Sequence, residues 1–191
     1  YWKESNYYSI RFFNQGGDEQ SAVRVLVLDH LVHSFVKLGD PTHLEYSYEK
    51  IYKDIVGYLA QTNPAMNVVF IGGGGYTFPK YMEAVYPKSN IEVIEIDPDV
   101  TRLNYEELGL SRDTRIATHN MDGRMFFNDG DAIKGKYDLV MGDAFNDLSI
   151  PYHLTTLEFN QKVRDSMAPD GFYMVNIIDN PQRGDFLRPY V

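Results

Sequence analysis

Four short motifs hold the glycines and carboxylates of this chain that could do chemistry, and each follows an apolar run. Gly72-Gly73-Gly74-Gly75 comes after Val68 to Ile71. Glycines between a strand and a helix let backbone approach a bound nucleotide and leave helix N-terminal amides free. Gly74 is followed by Gly75, Tyr76 and Thr77, so the run is not GxGxxG, and no GxxxxGK[ST] pattern for a triphosphate is present. About twenty residues on, Glu95 and Asp97 end the next run, where a carboxylate can accept two hydrogen bonds from ribose hydroxyls. Alternation puts both acids on one side, but Asp97 before Pro98 reads as a helix cap, which makes Glu95 the first candidate for the ribose. Asp122-Gly123 could accept from the exocyclic amine of an adenine, with Gly123 giving the ring room; an ordinary Asp-Gly turn is the alternative. Asp143 emerges from Val140-Met141-Gly142. Burial there would raise its pKa and suit it to accept a proton, unless it serves only as a cap or loop acid.

Other chemistries are excluded by what is missing. Eighteen Lys plus Arg against 27 Asp plus Glu leave a formal charge of -9, which argues against nucleic-acid binding and suits a small cationic substrate or simple solubility. With no Cys there are no disulfides, thiolate metal sites or cysteine nucleophiles, and a reducing, cytoplasmic setting is compatible. His30, His33, His43, His119 and His153 have no HExxH spacing, so no metal is expected, and no GxSxG elbow exists. Tyr46, Tyr48, Tyr52 and Tyr58 read as core and interface before they read as a ligand box. No run of about 18 apolar residues could span a membrane. An opening at Tyr1-Trp2 without Met reads as a piece of a longer product.

The elements that must position these residues divide near Asn63-Pro64, into residues 1–63 and 64–191. Tyr8, Ile10 and Phe12 alternate, Gly16-Gly17-Asp18 reads as a turn, and Val23, Val25 and Val27 alternate again, which predicts a β-hairpin. Leu44, Tyr48, Ile51, Tyr52, Ile55 and Leu59 recur at helical spacing and predict one amphipathic linking helix. Beyond Pro64 strands alternate with helices, with Pro79 in a first helical turn and Gly109 as a stop. Ile91 to Ile96, Ile116 to His119, Tyr137 to Met141 and Phe172 to Ile178 follow the first strand, and Thr155 with Glu158 fits a capping box for a helix running to about Met167. Five such strands make an α/β domain with a doubly wound, mostly parallel sheet, whose ligands bind beyond the carboxyl ends of the strands.

Taken together, the glycine strand-end, Glu95-Ile96-Asp97, Asp122-Gly123 and Asp143 resemble the polyamine aminopropyltransferase, or spermidine synthase, family. The stretch from Asp143 through Pro151-Tyr152-His153-Leu154 to Phe159 is most similar to a bacterial branch often fused to a membrane segment. The resemblance implies a small β-rich N-terminal domain against a Rossmann-like class I methyltransferase fold, a homodimer, and, as in that branch, an upstream membrane segment. It also implies a sulfonium nucleoside donor, decarboxylated S-adenosylmethionine or S-adenosylmethionine itself, and a small-molecule amine acceptor such as putrescine. By the same resemblance Gly72, Gly73, Gly74, Glu95 and Asp97 would hold the nucleoside and Asp122 with Gly123 the adenine. Asp143 would deprotonate the attacking amine, Tyr48 would line the acceptor side, and Glu49 would lie beside the donor. Three positions depart from the family pattern. Gly75 stands where GGGDGG has its Asp, which would hold the donor's ammonium. Asn146 followed by Asp147 stands in the DxxDP-like segment that would bind the acceptor. His33 replaces the Gln near LDGxxQ. The family also adds a C-terminal antiparallel pair beyond this chain's last residue. A methyltransferase using ordinary S-adenosylmethionine and a non-catalytic nucleoside- or polyamine-binding domain are the alternatives.

Overall fold

The computed structural model describes residues 1–16, 22–145, 150–179 and 186–190. The expected turn at Gly17-Asp18 and the positions Asn146 and Asp147 lie outside the described residues. The predicted hairpin is present as β2 (Ser9–Gln15) and β3 (Val23–Leu28), and it is the middle of a four-stranded antiparallel sheet. That sheet runs β1-β2-β3-β4, with β1 (Trp2–Glu4) and β4 (Leu31–Lys37) on its edges. Leu28 pairs with Leu31 across a two-residue turn in which Asp29 takes φ 53, the left-handed geometry that such tight turns require.

The helix α1 (Ser47–Leu59) starts later than the apolar spacing predicts but turns the expected face inward, burying Tyr52 and Val56. A five-stranded sheet follows in the order β7-β6-β5-β8-β9, and all its pairs are parallel. Its strands are β5 (Asn67–Ile71), β6 (Asn90–Glu95), β7 (Ala117–Asn120), β8 (Tyr137–Gly142) and β9 (Met167–Val175). The connecting helices are α2 (Thr77–Val85), α3 (Pro98–Glu106), α4 (Gly123–Phe126), α5 (Gly130–Ile133) and α6 (Leu157–Ser166), with α7 (Leu187–Tyr190) after β9.

Strand alternation divides the core into two layers. Val68, Phe70, Val93, Leu139 and Met141 face α1 and α2, where they meet Val56, Tyr52 and Met82. Val69, Ile71, Ile94 and Val140 face the other way, against Phe127, Phe159 and Val163. Each such fully buried side chain contributes about 1.5–3 kcal/mol relative to exposure, so the sheet is held from both sides. Strand order reverses between β5 and β8, and a crevice opens there at the strands' carboxyl ends.

Two expectations shift. The last strand begins at Met167, directly after α6, where its pairing with β8 carries a register irregularity between Tyr137 and Leu139, and it ends at Val175, opposite Gly142, instead of Ile178. The cap of α6 is Thr156, whose hydroxyl oxygen accepts from the Phe159 amide, while the Thr155 hydroxyl donates to the Tyr152 carbonyl. The antiparallel sheet docks on α3: Ile10, Leu26 and Val36 pack against Val100, Leu103 and Leu108. Lys3 pairs with Asp99, and the Ser5 hydroxyl donates to Asp97.

Candidate active site

The carboxyl ends of β5, β6 and β8, the first turn of α1 and the rim of the antiparallel sheet enclose a cleft of ≈ 530 Å³. Its floor is the glycine loop after β5. Gly72 sits at φ 98, and a Cβ there would lie 2.6 Å from the Asp143 carbonyl oxygen, so glycine alone lets the loop pass the start of the segment after β8. Tyr76, in the place of a further loop glycine, is buried beneath the loop, and its hydroxyl meets Thr118 at 3.2 Å.

Glu95 ends β6 and turns into the cleft. Its Oε2 accepts from the Gly73 and Gly74 amides at 2.9 and 3.3 Å, and its Oε1 from the Asp97 amide at 2.9 Å. Burial pushes this carboxyl up, and the three amides oppose that by stabilising its charge. Asp97 is not among the residues that line the cleft; its carboxylate caps α3 through the Asp99 amide and accepts from Ser5. Asp122 and Gly123 line the opposite wall. The Asp122 carboxylate caps α4 through the Met125 amide and accepts from His153 Nε2 at 2.7 Å. Gly123 makes room for its own scaffold first: a Cβ there would stand 2.9 Å from Ile71 Cγ2.

At the switch point, Asp143 is buried with both oxygens engaged. Asn176 Nδ2 donates to Oδ1 at 2.9 Å and the Tyr48 hydroxyl to Oδ2 at 3.2 Å. Burial drives its carboxyl above the ordinary aspartate value, and these two donors partly restrain that rise. Burial, then the nearby Asp143 and Glu49 carboxylates, push the Tyr48 phenol well above its usual range, so it stays a donor. Glu49 is 2% exposed, and burial pushes its carboxyl up to about 7 against the help of the Thr77 hydroxyl and a Tyr46 backbone hydrogen bond. His33 reaches the cleft from β4, its ring 6.4 Å from that of Tyr8.

The structure thus brings together Gly72, Gly73, Gly74, Glu95, Asp122, Gly123, Asp143, Tyr48, Glu49 and His33, and leaves Asp97 outside the lining. Sequence reasoning missed Asn176, Thr77 and His153, and it set aside Tyr46 and Tyr52, which also line the cleft. Their signal was position alone: Asn176 directly follows β9, Tyr46 is the N-cap residue of α1, and Tyr48 and Tyr52 stand four residues apart on one face of α1. Among the described residues no Lys or Arg lines the cleft, whereas four carboxylates do. Among the described residues no group of three or more His, Asp or Glu could hold a metal ion.

Fold and site together define a Rossmann-like domain of the class I methyltransferase type, fronted by an antiparallel sheet. The chain is related in sequence and fold to the polyamine aminopropyltransferase, or spermidine synthase, family. It is 30% identical over 139 residues to the polyamine aminopropyltransferase of Vibrio vulnificus, covering 72% of this chain and 46% of that protein. It therefore spans about half the length of that relative. A crystal structure of a probable spermidine synthase from Corynebacterium glutamicum superposes with a TM-score of 0.82 at 24% identity, over 92% of this chain and 63% of the other. The eEF1A lysine and N-terminal methyltransferase of Bos taurus is 29% identical over 128 residues, 63% of this chain and 18% of that protein. No family model matches the chain.

Proposed function

We propose that this domain transfers an aminopropyl group from decarboxylated S-adenosylmethionine to a small amine such as putrescine, releasing methylthioadenosine. The observation that carries this reading is the charge of the cleft: among the described residues four carboxylates and no Lys or Arg line it, with a desolvated Asp143 at its centre. Such walls favour a sulfonium nucleoside and a polycationic amine, and disfavour an anionic ligand. Glycines 72–74 and Glu95 would take the ribose side, Asp122 and Gly123 the adenine, and Tyr48 the acceptor side.

The step balances without a metal or redox partner. The unprotonated amine nitrogen attacks the methylene carbon beside the sulfonium; the carbon–sulfur bond breaks, its electron pair neutralises the sulfur, and Asp143 takes the proton released by the new ammonium. Asp143 has the raised proton affinity that this needs, and Asn176 and Tyr48 fix its orientation. The homodimer implied by the family belongs to this reading and is tested by sedimentation equilibrium.

Methyl transfer from ordinary S-adenosylmethionine is the second reading. The eEF1A methyltransferase relative and the acid-free glycine loop at Gly75 favour it. Turnover assays with both donors and a panel of amines test the two readings. Methylthioadenosine released from the decarboxylated donor supports the first, S-adenosylhomocysteine from the ordinary donor moves the assignment to the second, and nucleoside binding without any product rejects both.

A further inference from the structure

The segment between β8 and α6 brings a histidine to the cleft wall that holds Asp122. Pro151, at φ -54, leads into a short 3-10 turn, Tyr152–Leu154, in which the Leu154 amide donates to the Pro151 carbonyl at 2.8 Å. Leu154 is buried in the layer of Phe127 and Phe159, Tyr152 is exposed, and His153 between them lines the cleft. The imidazole packs edge-on against the Tyr152 ring, with centroids 5.6 Å apart, and its Nε2 donates to Asp122 Oδ2 at 2.7 Å. A charged carboxylate only accepts, so Nε2 carries the proton. The turn is also gripped by the helix that Asp122 caps: Arg124 Nη1 donates to the His153 carbonyl at 2.8 Å and to the Thr156 hydroxyl oxygen at 2.9 Å. Asp122 is therefore held from two sides, with the Met125 amide on Oδ1 at 3.1 Å and His153 on Oδ2. Those two bonds occupy two of the roughly four acceptor positions of a carboxylate. The terminal torsion of an aspartate is broad, so a single bond at Oδ1 would leave the group free to turn, whereas a bond at each oxygen fixes the direction of the remaining lone pairs.

We infer that His153 is the positioning residue for base recognition: through Asp122 Oδ2 it holds an acceptor-only edge in the cleft, ready for an exocyclic amine and closed to a keto oxygen. The inference rests on the reading above that puts the nucleoside base at Asp122. An aminopurine offers an N–H to that edge, whereas the corresponding ketopurine sets an oxygen against it and leaves two acceptors facing each other. Without His153 the carboxylate must be ordered when the base arrives, and that cost falls only on a ligand that uses it. The histidine acts at a distance from the reacting methylene, so its effect belongs to binding and not to the transfer step.

Calorimetric titration of the whole chain with methylthioadenosine and with methylthioinosine, which has a keto oxygen in place of the amine, tests this. The unaltered chain should prefer methylthioadenosine. His153→Leu fills the space of the ring and removes the donor; it is expected to weaken methylthioadenosine by about 3–10-fold, the range for ordering one side chain, and to leave methylthioinosine within about twofold. His153→Gln, whose amide nitrogen reaches close to the place of Nε2, should restore methylthioadenosine to within about twofold of the unaltered chain. In an Asp122→Ala background His153→Leu should change methylthioadenosine affinity by less than about twofold, because the histidine works through the carboxylate. With the decarboxylated donor the loss in His153→Leu should appear in KM, with kcat within about twofold. Equal weakening of both nucleosides, no weakening of methylthioadenosine, a Gln variant that restores nothing, or an unaltered chain that binds both nucleosides alike overturns the inference and leaves the nucleoside site standing. An unaltered chain that binds neither nucleoside overturns the functional reading as well.

Discussion

Replacing Asp143 by Asn separates proton transfer from binding better than any other change in the cleft. The two side chains have nearly the same shape, and the surroundings can accommodate the amide. Asn176 Nδ2 can still donate to the retained oxygen, and the Tyr48 hydroxyl, now facing an amide N–H, can rotate to accept from it. Burial raises the Asp143 carboxyl, which means the folded protein holds its charge at a cost near neutral pH. The Asn variant is thus expected to be at least as stable as the unaltered chain at pH 7, with methylthioadenosine affinity within about twofold. Turnover should fall by about 10²–10⁴, the usual contribution of a positioned general base, or about 3–5 kcal/mol in the barrier. Release of methylthioadenosine from the decarboxylated donor and putrescine gives the rate, and a melting curve in parallel gives the stability. The acid limb of the rate profile follows from the same residue: activity is lost as pH falls through a pKa above the ordinary aspartate value, since only the charged form can take the proton. Turnover within threefold of the unaltered chain, or loss of rate accompanied by equal loss of nucleoside affinity, refutes the role of Asp143 as base.

Asn176→Ala and Tyr48→Phe each remove one donor from the Asp143 carboxylate, so both should move the acid limb of the rate profile to higher pH, and an unmoved limb counts against their positioning role. Lys80 is buried on α2 with its Nζ on the Leu108 carbonyl, and burial lowers its pKa to about 7. Because the folded value lies below the unfolded one, its charge destabilises the fold below about pH 7, and the deficit shrinks as pH rises toward 10.5. Lys80→Met should therefore raise the melting temperature most at pH 6, with the advantage shrinking as pH rises from 7 toward 10; a constant difference across that range rejects this account. Gly75→Ala forces a Cβ into Ser34 and Val36 and should cost about 1–3 kcal/mol, some 2–7 °C in melting temperature, whereas a neutral result would mean that β4 yields freely.

The parallel sheet was legible because its strands are apolar runs closed by acids or glycines, and the same punctuation marks the site. Gly72, Glu95, Asp122 and Asp143 all sit where an apolar run ends, and a doubly wound sheet collects such ends in one crevice. The antiparallel sheet was only half legible. β1 is three residues long and β4 mixes His33 and Ser34 into its apolar pattern, so neither stands out by alternation. The tyrosines of α1 were legible only in part for a related reason: Tyr52 enters the core with Tyr48 packed against it, as expected, but both also line the cleft. A helical stripe does not reveal that its first turn overhangs the cleft while its later turns enter the core. Asn176 carries no pattern at all: its role comes from parallel pairing that sets the end of β9 beside the end of β8. Contacts between elements far apart in sequence are what periodicity cannot encode.

The departures at the glycine loop have one structural source. β4 lies directly against the loop, with Ser34 Oγ accepting from the Gly75 amide at 2.8 Å. That contact fixes the loop from the side of the antiparallel sheet and leaves no volume for a side chain at position 75. Tyr76, forced to φ 52 by the same turn, then drops its ring beneath Gly73, where a Cβ would meet it at 2.5 Å. On α1, across the cleft from the loop, Glu49 is desolvated and hydrogen-bonded by the Thr77 hydroxyl, the first residue of α2, so the loop, β4 and the start of α1 are held as one wall.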